Sequence, residues 1–524
     1  MLKNISLHRI ILTIIIAITL IMGLMIFVYP PAIFPDPSHG FQVMKSMQMG
    51  GGFNKLVTPN QDDISKNNSD FLTWWSPGQY LVPYIIKLIT GLNTGRATAL
   101  VITLFELSGL AGFYFFFKKI SFTPTIASLS IVFIACQQAF IIPYIFYNGG
   151  EILLFGFEGW FLYGCVATKK IDLKLLLFVL LSGWVGFFCK SSFIWIYIAG
   201  LLCIWLRLSA VGESLNLRKL IKNGIWLAIP AIISVVCIYI FFLSKGQTPA
   251  SASTGLKFSL QTFSFPLASP LVAGFSVDDI MHGLLFPTFT PFITPEHTLW
   301  VLLLMAVLSL ILISCIIRFV PKDNYRLFVI IFYLVSILFF TVAYLRQMTI
   351  SYEGRHFRII GLLIVPGIIY LVAKLKPPYK AAFVVLCLVL IGINYSFLVK
   401  GFIFNKNISG RGNSGFAQQT IDQQSLNYLL KLNDVNEDAI FVFTTSDLPL
   451  EITHNRIIIL DPIIQGAQIN YDDYSYDGHA GPLYLLLPAN YSAEQDNTAM
   501  KFFPGYKNFT KQKLGKNYVL YAAK

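Results

Sequence analysis

The stretch IILTIIIAITLIMGLMIFVYPPAIFPDPSHGF, residues 10–41, decides the class of this protein. Nothing charged occurs between Ile10 and Val28. Such a run crosses about 30 Å of hydrocarbon as one helix, which satisfies its own backbone polar groups. Lys3, His8 and Arg9 precede it, as in a signal peptide. No small-residue cleavage site follows, and Tyr29-Pro30-Pro31 stands there instead. The run is therefore read as a retained first span with its N-terminus inside. The chain then leaves the membrane through a stiff Pro-Pro exit and presents Asp36 just above it.

Working outward, similar runs recur at about 97–117, 122–143, 151–168, 173–189, 191–207, 224–243, 297–317, 327–345, 358–373 and 381–398. Lys118-Lys119, Lys169-Lys170, Arg207 to Lys222, Arg318 to Arg326 and Lys374 to Lys380 all fall on one side of that path. The positive-inside rule was not used to find the spans, so this agreement supports about eleven of them. Two long outward loops remain, 30–95 and 245–296. Within the first, 79–91 is apolar but short, and suits a helix lying at the interface. Composition agrees: 55% of the 524 residues are hydrophobic and 12% charged, against about 25% charged in soluble domains. The net charge of +13 sits in short clusters between spans, which argues for topology determinants and against nucleic acid. All seven cysteines lie in apolar segments, without the spacing of a metal site.

After Lys400 the composition turns polar. Runs at 439–444, 456–460, 482–487 and 517–522 read as strands and 421–433 as a helix. The fold class is thus mainly α: a polytopic transmembrane helical bundle over 1–400 with a small C-terminal extracytoplasmic α/β domain over 401–524. No glycine-rich phosphate loop is present, and no internal repeat.

Ionisable groups in or beside a membrane are costly, so they are the first candidates for function. Asp36 is either part of an Asp-Pro turn or a carboxylate placed to accept a proton. Arg355, His356 and Arg358 stand where the tenth span begins, on a side where basic residues are under-represented. They either snorkel or bind phosphate. Arg346 joins them or serves as a plain anchor, and Glu353 orients or neutralises an arginine. Lys190 interrupts an apolar stretch with the same two alternatives. Glu151 opens the fourth span, as a helix N-terminal acid or a substrate contact. Glu158, deeper in that span, needs a partner or lines a cavity. His39, His282, Trp74, Trp75 and Tyr80 are possible acceptor contacts, or ordinary interface residues. The pairs Asp62-Asp63 and Asp278-Asp279 are the weak candidates for a divalent cation, and no other cofactor is implied.

Several of these features occur together in one known family. An outward Asp after the first span is followed by MKSMQMGGGFN at 44–54 and Trp75-Ser76-Pro77-Gly78-Gln79-Tyr80. GFFCKSS at 186–192 and YEGRHFRIIGLLIVPGI at 352–368 come later. In order and sidedness this resembles the GT-C membrane glycosyltransferases, which include protein O-mannosyltransferases and aminoarabinose transferases of lipid A. The resemblance spans most of the chain. One departure is that many relatives carry Asp-Glu in the first loop, where Pro37 follows Asp36 here. The resemblance implies a polyprenyl-phosphate-linked sugar donor and a lipid, glycan or protein acceptor. It implies Asp36 as general base, inversion at the anomeric carbon, and cations on the departing phosphate. It also implies a bacterial inner-membrane location with the C-terminal domain outside. A transporter or flippase, or an O-antigen polymerase or ligase, is the competing class.

Overall fold

A computed structural model describes residues 7–211, 214–246, 255–285 and 293–524. Helix α1 (Leu7–Val28) is followed by the short strand β1 (Ala32–Ile33) and helix α2 (Pro35–Gln48). The antiparallel hairpin β2 (Lys55–Pro59) and β3 (Asn67–Phe71) then leads to α3 (Gly78–Thr90). Helix α4 (Thr94–Lys119) precedes α5 (Pro124–Ala135), α6 (Gln138–Ile141) and strand β4 (Phe146–Tyr147), which pairs with β1 in parallel. Next come α7 (Gly150–Ala167), α8 (Leu173–Cys189), α9 (Phe193–Ser209), the two-residue strands β5 (Ala210–Val211) and β6 (Ser214–Leu215), and α10 (Leu217–Phe241). The helical part ends with α11 (Leu260–Gly274), α12 (Val277–Ile280), α13 (Pro295–Phe319), α14 (Asp323–Leu345), α15 (Arg358–Lys374) and α16 (Pro377–Asn407).

Eight described helices are long and apolar enough to cross a membrane. The remaining expected spans have different shapes. Residues 122–143, read as one continuous span, break after Ala135 into α5 and α6, which are bent by 67°. Both glutamines at the break are committed elsewhere. The Gln137 amide donates to Gly274 O at 2.9 Å and the Gln138 amide to Asp279 O at 3.2 Å. Helices α8 and α9 have only 17 residues each. The expected interfacial helix is α3. The second long outward loop, 245–296, which is rich in Ser, Thr, Pro and Phe, contains the helix α11 with Pro266 and Pro270 inside it. Prolines remove backbone donors, so nearby carbonyls need other partners. Ser309 Oγ reaches Ala268 O at 3.2 Å and the Tyr333 hydroxyl reaches Leu267 O at 2.7 Å. Helix α11 packs against α13, α14 and α15.

The chain divides into two compact units: the described residues of 1–22, 102–143 and 150–398, and residues 23–101, 144–149 and 399–524. In the first, α4 and α7 meet through glycine. A Cβ on Gly159 would stand 2.5 Å from Phe113 N and 2.6 Å from Gly112 C. Small residues let helix backbones approach where no hydrophobic drive separates them from lipid.

In the second unit, helix α17 (Gln423–Val435) begins at an Asp422 side chain that caps Ser425 N. It precedes a five-stranded sheet. The strands are β7 (Ile440–Phe443), β8 (Arg456–Ile459), β9 (Leu483–Pro488), β10 (Thr510–Leu514) and β11 (Tyr518–Ala523), in the order β10-β11-β9-β7-β8. Between them lie α18 (Tyr471–Tyr474) and α19 (Ala493–Lys501). Interior strand β7 is parallel to both neighbours and buried on both faces, with Ile440 and Val442 in one core and Phe441 and Phe443 in the other. That is the pattern of a covered parallel strand. All four expected strands are present. The fifth, TKQKL, escaped notice because it is an exposed, polar edge. Ile64 of the β2–β3 turn joins the same core, and Arg456 donates to Ile64 O at 2.6 Å.

Gly159→Val places a branched side chain against the Gly112 backbone. It should lower the thermal midpoint of the detergent-solubilised protein by several degrees, as overpacking of about 1–3 kcal/mol requires. Gly392→Val, at a glycine with open space around it, should leave the midpoint unchanged.

Candidate active site

The membrane-spanning unit gathers charge around Glu151. This acid lies in the first turn of α7, where the helix dipole favours a carboxylate, and its side chain is 7% exposed. Lys190 is the first residue beyond α8, in extended conformation, and its ammonium pairs with Glu151. Gly150 makes this approach possible, since a Cβ there would meet Cys189 O at 2.5 Å. Arg355 comes from the 3₁₀ turn Gly354–Phe357; its guanidinium lies 3.3 Å from Glu151 and also pairs with Glu353. Arg358, the first residue of α15, faces Asp279 at 4.0 Å.

Two cavities adjoin this cluster and share Glu151, Phe155 and Arg358. Lys190, Arg355, His356 and Glu158 line one of them. Glu106 and Gln137 line the other. Glu106 is not among the expected site residues, although it is the lone acid of the second span and as costly there as Glu158. Arg346 is exposed at the end of α14 and lines neither cavity.

The aspartate pairs weighed as metal ligands have other partners. Asp278 accepts from Gly354 N at 2.7 Å and Leu284 N at 2.9 Å, so it pins the turn that carries Arg355. Gly354 fits closely there, with its would-be Cβ 2.9 Å from Asp278 Cβ. Burial pushes the Asp279 carboxyl up to about 6, opposed by Arg358. Asp63 binds Lys66 at 2.8 Å and takes the Ser65 hydroxyl and amide; the hydrogen bond from Lys66 leads in lowering its carboxyl to about 2. Asp62 is exposed in the same turn. Among the described residues no group of three or more His, Cys, Asp or Glu side chains is arranged to hold a metal ion.

The second unit holds Asp36. The Asp-Pro segment is not an isolated turn, as one alternative had it; it is the start of α2, with Pro35 at N1 and Asp36 in the first turn. His39, one turn on, stacks on Trp75 with centroids 5.2 Å apart and planes 13° from parallel. Trp75 in turn meets Trp74 at 5.8 Å. Burial lowers the His39 imidazole below its usual 6.5, against the opposing fields of Asp36 and Asp461. Asp461 follows β8, and Ser446 follows β7. The Ser38 hydroxyl bonds Ser446 Oγ, Ser446 Oγ reaches Pro35 O at 3.3 Å, and the Gln42 amide donates to Ser446 O at 3.3 Å. The carboxyl end of β7 thus holds the first turns of the Asp36 helix, and Asp461 after β8 adds its field at His39. No local motif around 446 or 461 announces this, because the pairing is more than 400 residues long-range.

Tyr80 differs from its expected role as a substrate contact. It is fully buried, its hydroxyl bonds Asn54, and its ring lies where a Cβ on Gly40 would be, 2.2 Å away. Lys45 on α2 also went unnoticed. Its ammonium is buried without a hydrogen-bond partner among the described residues, and burial lowers it to about 7.

Two outcomes test the charge cluster. Glu151→Gln leaves Lys190 buried without its counter-charge and should destabilise the protein by about 3–5 kcal/mol in thermal unfolding. Adding Lys190→Met should recover part of that loss, because Arg355 retains Glu353. Asp279 keeps its proton to about pH 6, whereas an unfolded aspartate releases it near 3.8. The folded state therefore binds more protons in that window, and this residue makes stability fall as pH rises from about 4 to 6. Asp279→Asn should flatten the unfolding midpoint across that range relative to the parent.

No protein-family model and no curated protein matches this sequence. Solved structures do. ArnT from Cupriavidus metallidurans bound to undecaprenyl phosphate superposes with a TM-score of 0.54 at 12% identity, covering 98% of this chain and 97% of that one. Its apo state gives 0.55 at 11%, with the same coverage. A mycobacterial arabinofuranosyltransferase, AftD, gives 0.48 at 11% and spans 99% of this chain and 42% of its own. This chain is an integral membrane protein that shares the fold of the ArnT structures.

Proposed function

We propose that the protein transfers a sugar from a polyprenyl-phosphate-linked donor to an acceptor hydroxyl on the extracytoplasmic face. The observation that carries this reading is the half-buried cluster of Lys190, Arg355 and Arg358 beside a cavity. Cations held in a low-dielectric site are what a departing phosphate requires, and guanidinium groups bind phosphate oxygens bidentately. Glu151 and Glu353 hold the cations in place before substrate arrives, so little reorganisation is needed when charge develops. The bound undecaprenyl phosphate of the ArnT structure is a ligand of the matching chemical kind. His356 lines the same cavity and Arg346 is the weakest member of the proposed donor set.

Asp36 acts as the general base. It takes the proton of the acceptor hydroxyl while that oxygen bonds to the anomeric carbon. The bond from that carbon to the phosphate oxygen breaks on the opposite side, and polyprenyl phosphate leaves with the electron pair. One such displacement inverts the anomeric centre. His39, kept neutral by its surroundings, and Trp75 contribute acceptor contacts. In this reading the N-terminus lies in the cytoplasm of a bacterial inner membrane and residues 401–524 lie outside it, which the basic clusters between spans support. Lipid, glycan and protein acceptors all supply the required hydroxyl. No divalent cation enters the scheme.

Asp36→Asn should lower the transfer rate by about 10²–10⁴-fold, the usual worth of a positioned base, with donor binding retained. Near-parental turnover would remove Asp36 from the mechanism. Arg355→Ala should weaken undecaprenyl phosphate binding at least tenfold, read by ligand-induced thermal shift; unchanged affinity would sink the donor assignment.

A further inference from the structure

Resting on that donor reading, we propose that the second cavity reads the sugar of the donor. Glu106 is its specificity residue, accepting a hydrogen bond from a hydroxyl or amine on the ring. Glu106 lies on α4 and is 1% exposed. Its Oε2 is buried without a hydrogen-bond partner among the described residues, and it lines the cavity. An orphaned buried acceptor is costly, and an acid inside a membrane helix adds to that cost. The contacts of α4 with α7 run through Gly109, Gly112, Gly156 and Gly159 and a hydrogen bond from Ser108 to Gly156 O at 2.9 Å, and the Glu106 Oε2 atom takes part in none of these. A ligand that donates a hydrogen bond would remove the cost.

The position of the cavity says which ligand group that is. It shares Glu151, Phe155 and Arg358 with the cavity lined by Lys190 and Arg355. The group covalently attached to a phosphate held by those cations is the sugar, and the adjoining space is within its reach. The lining suits a sugar. Phe140 and Phe155 line it with apolar ring surface for the C–H groups of a sugar, and Glu106 and Arg358 supply its polar groups. The Gln137 amide is tied to Gly274 O, so it holds the wall in place. Sites built around a buried hydrogen-bonding group reject analogues lacking the matching donor by large factors, because the group is then left unpaired.

The experiment separates phosphate from sugar, with the full-length protein in nanodiscs. Three ligands are titrated: undecaprenyl phosphate, undecaprenyl-phosphate mannose, and an undecaprenyl-phosphate-linked amino sugar. Undecaprenyl phosphate alone should bind the parent, Glu106→Gln and Glu106→Ala within twofold of one another, and Arg355→Ala at least tenfold more weakly. At least one sugar-bearing lipid should bind the parent at least tenfold tighter than undecaprenyl phosphate, and Glu106→Ala should lose that gain. If a hydroxyl is read, Glu106→Gln keeps most of the gain; if an amine is read, it loses it. The inference is overturned if neither sugar adds affinity in the parent, or if Glu106→Ala keeps the gain. It is also overturned if Glu106→Ala weakens undecaprenyl phosphate itself. Parent binding of undecaprenyl phosphate that ignores Arg355→Ala is a different failure, which removes the donor reading beneath it.

Discussion

The membrane-spanning unit depends on one carboxylate. Glu151, at the head of α7, is held between the Lys190 ammonium and the Arg355 guanidinium. Buried charges are tolerable only in company, because desolvation of each costs several kcal/mol. The pairing therefore ties three chain segments together: the α7 N-terminus, the corner after α8, and the 3₁₀ turn before α15. Both cavities are lined by this carboxylate. Their polarity follows from the same requirement, since the charges that satisfy one another are also the ones left facing open space.

A second layer of constraint keeps the turn before α15 in position. Asp278 accepts two backbone amides, one of them from Gly354, and the absence of a Cβ at that glycine lets the two segments touch. The bend between α5 and α6 supports the same loop, because the glutamines at the break donate to Gly274 and Asp279 carbonyls. A broken span, a proline-bearing helix and a pair of aspartates thus serve one purpose, the placing of Arg355 and Arg358.

The other unit shows a comparable economy. Interior strand β7 is hydrophobic on both faces, so helices and loops must cover it. The segment after it, Thr444 to Asp447, is polar because it emerges at the carboxyl end of the strand, where open α/β sheets present their functional groups. Here that end grips α2 through Ser446, and β8 contributes Asp461 to the field around His39.

Span positions and four of the five C-terminal strands were legible in the sequence, because hydrophobic period and run length are local properties. So were the isolated membrane acids and the basic group at the tenth span, because uncompensated charge in an apolar run is visible without coordinates. The polar edge strand, the break after Ala135 and the helix over Leu260–Gly274 were not. In each, a distant hydrogen bond or neighbour outweighs local propensity. Partnership was legible least. That Glu151 belongs with Lys190 and Arg355, that Tyr80 is buried under Gly40, and that Ser446 holds the helix of Asp36 are facts about residues tens to hundreds of positions apart. Composition along the chain determines where a residue lies in depth; only packing in three dimensions decides which side chain it meets there.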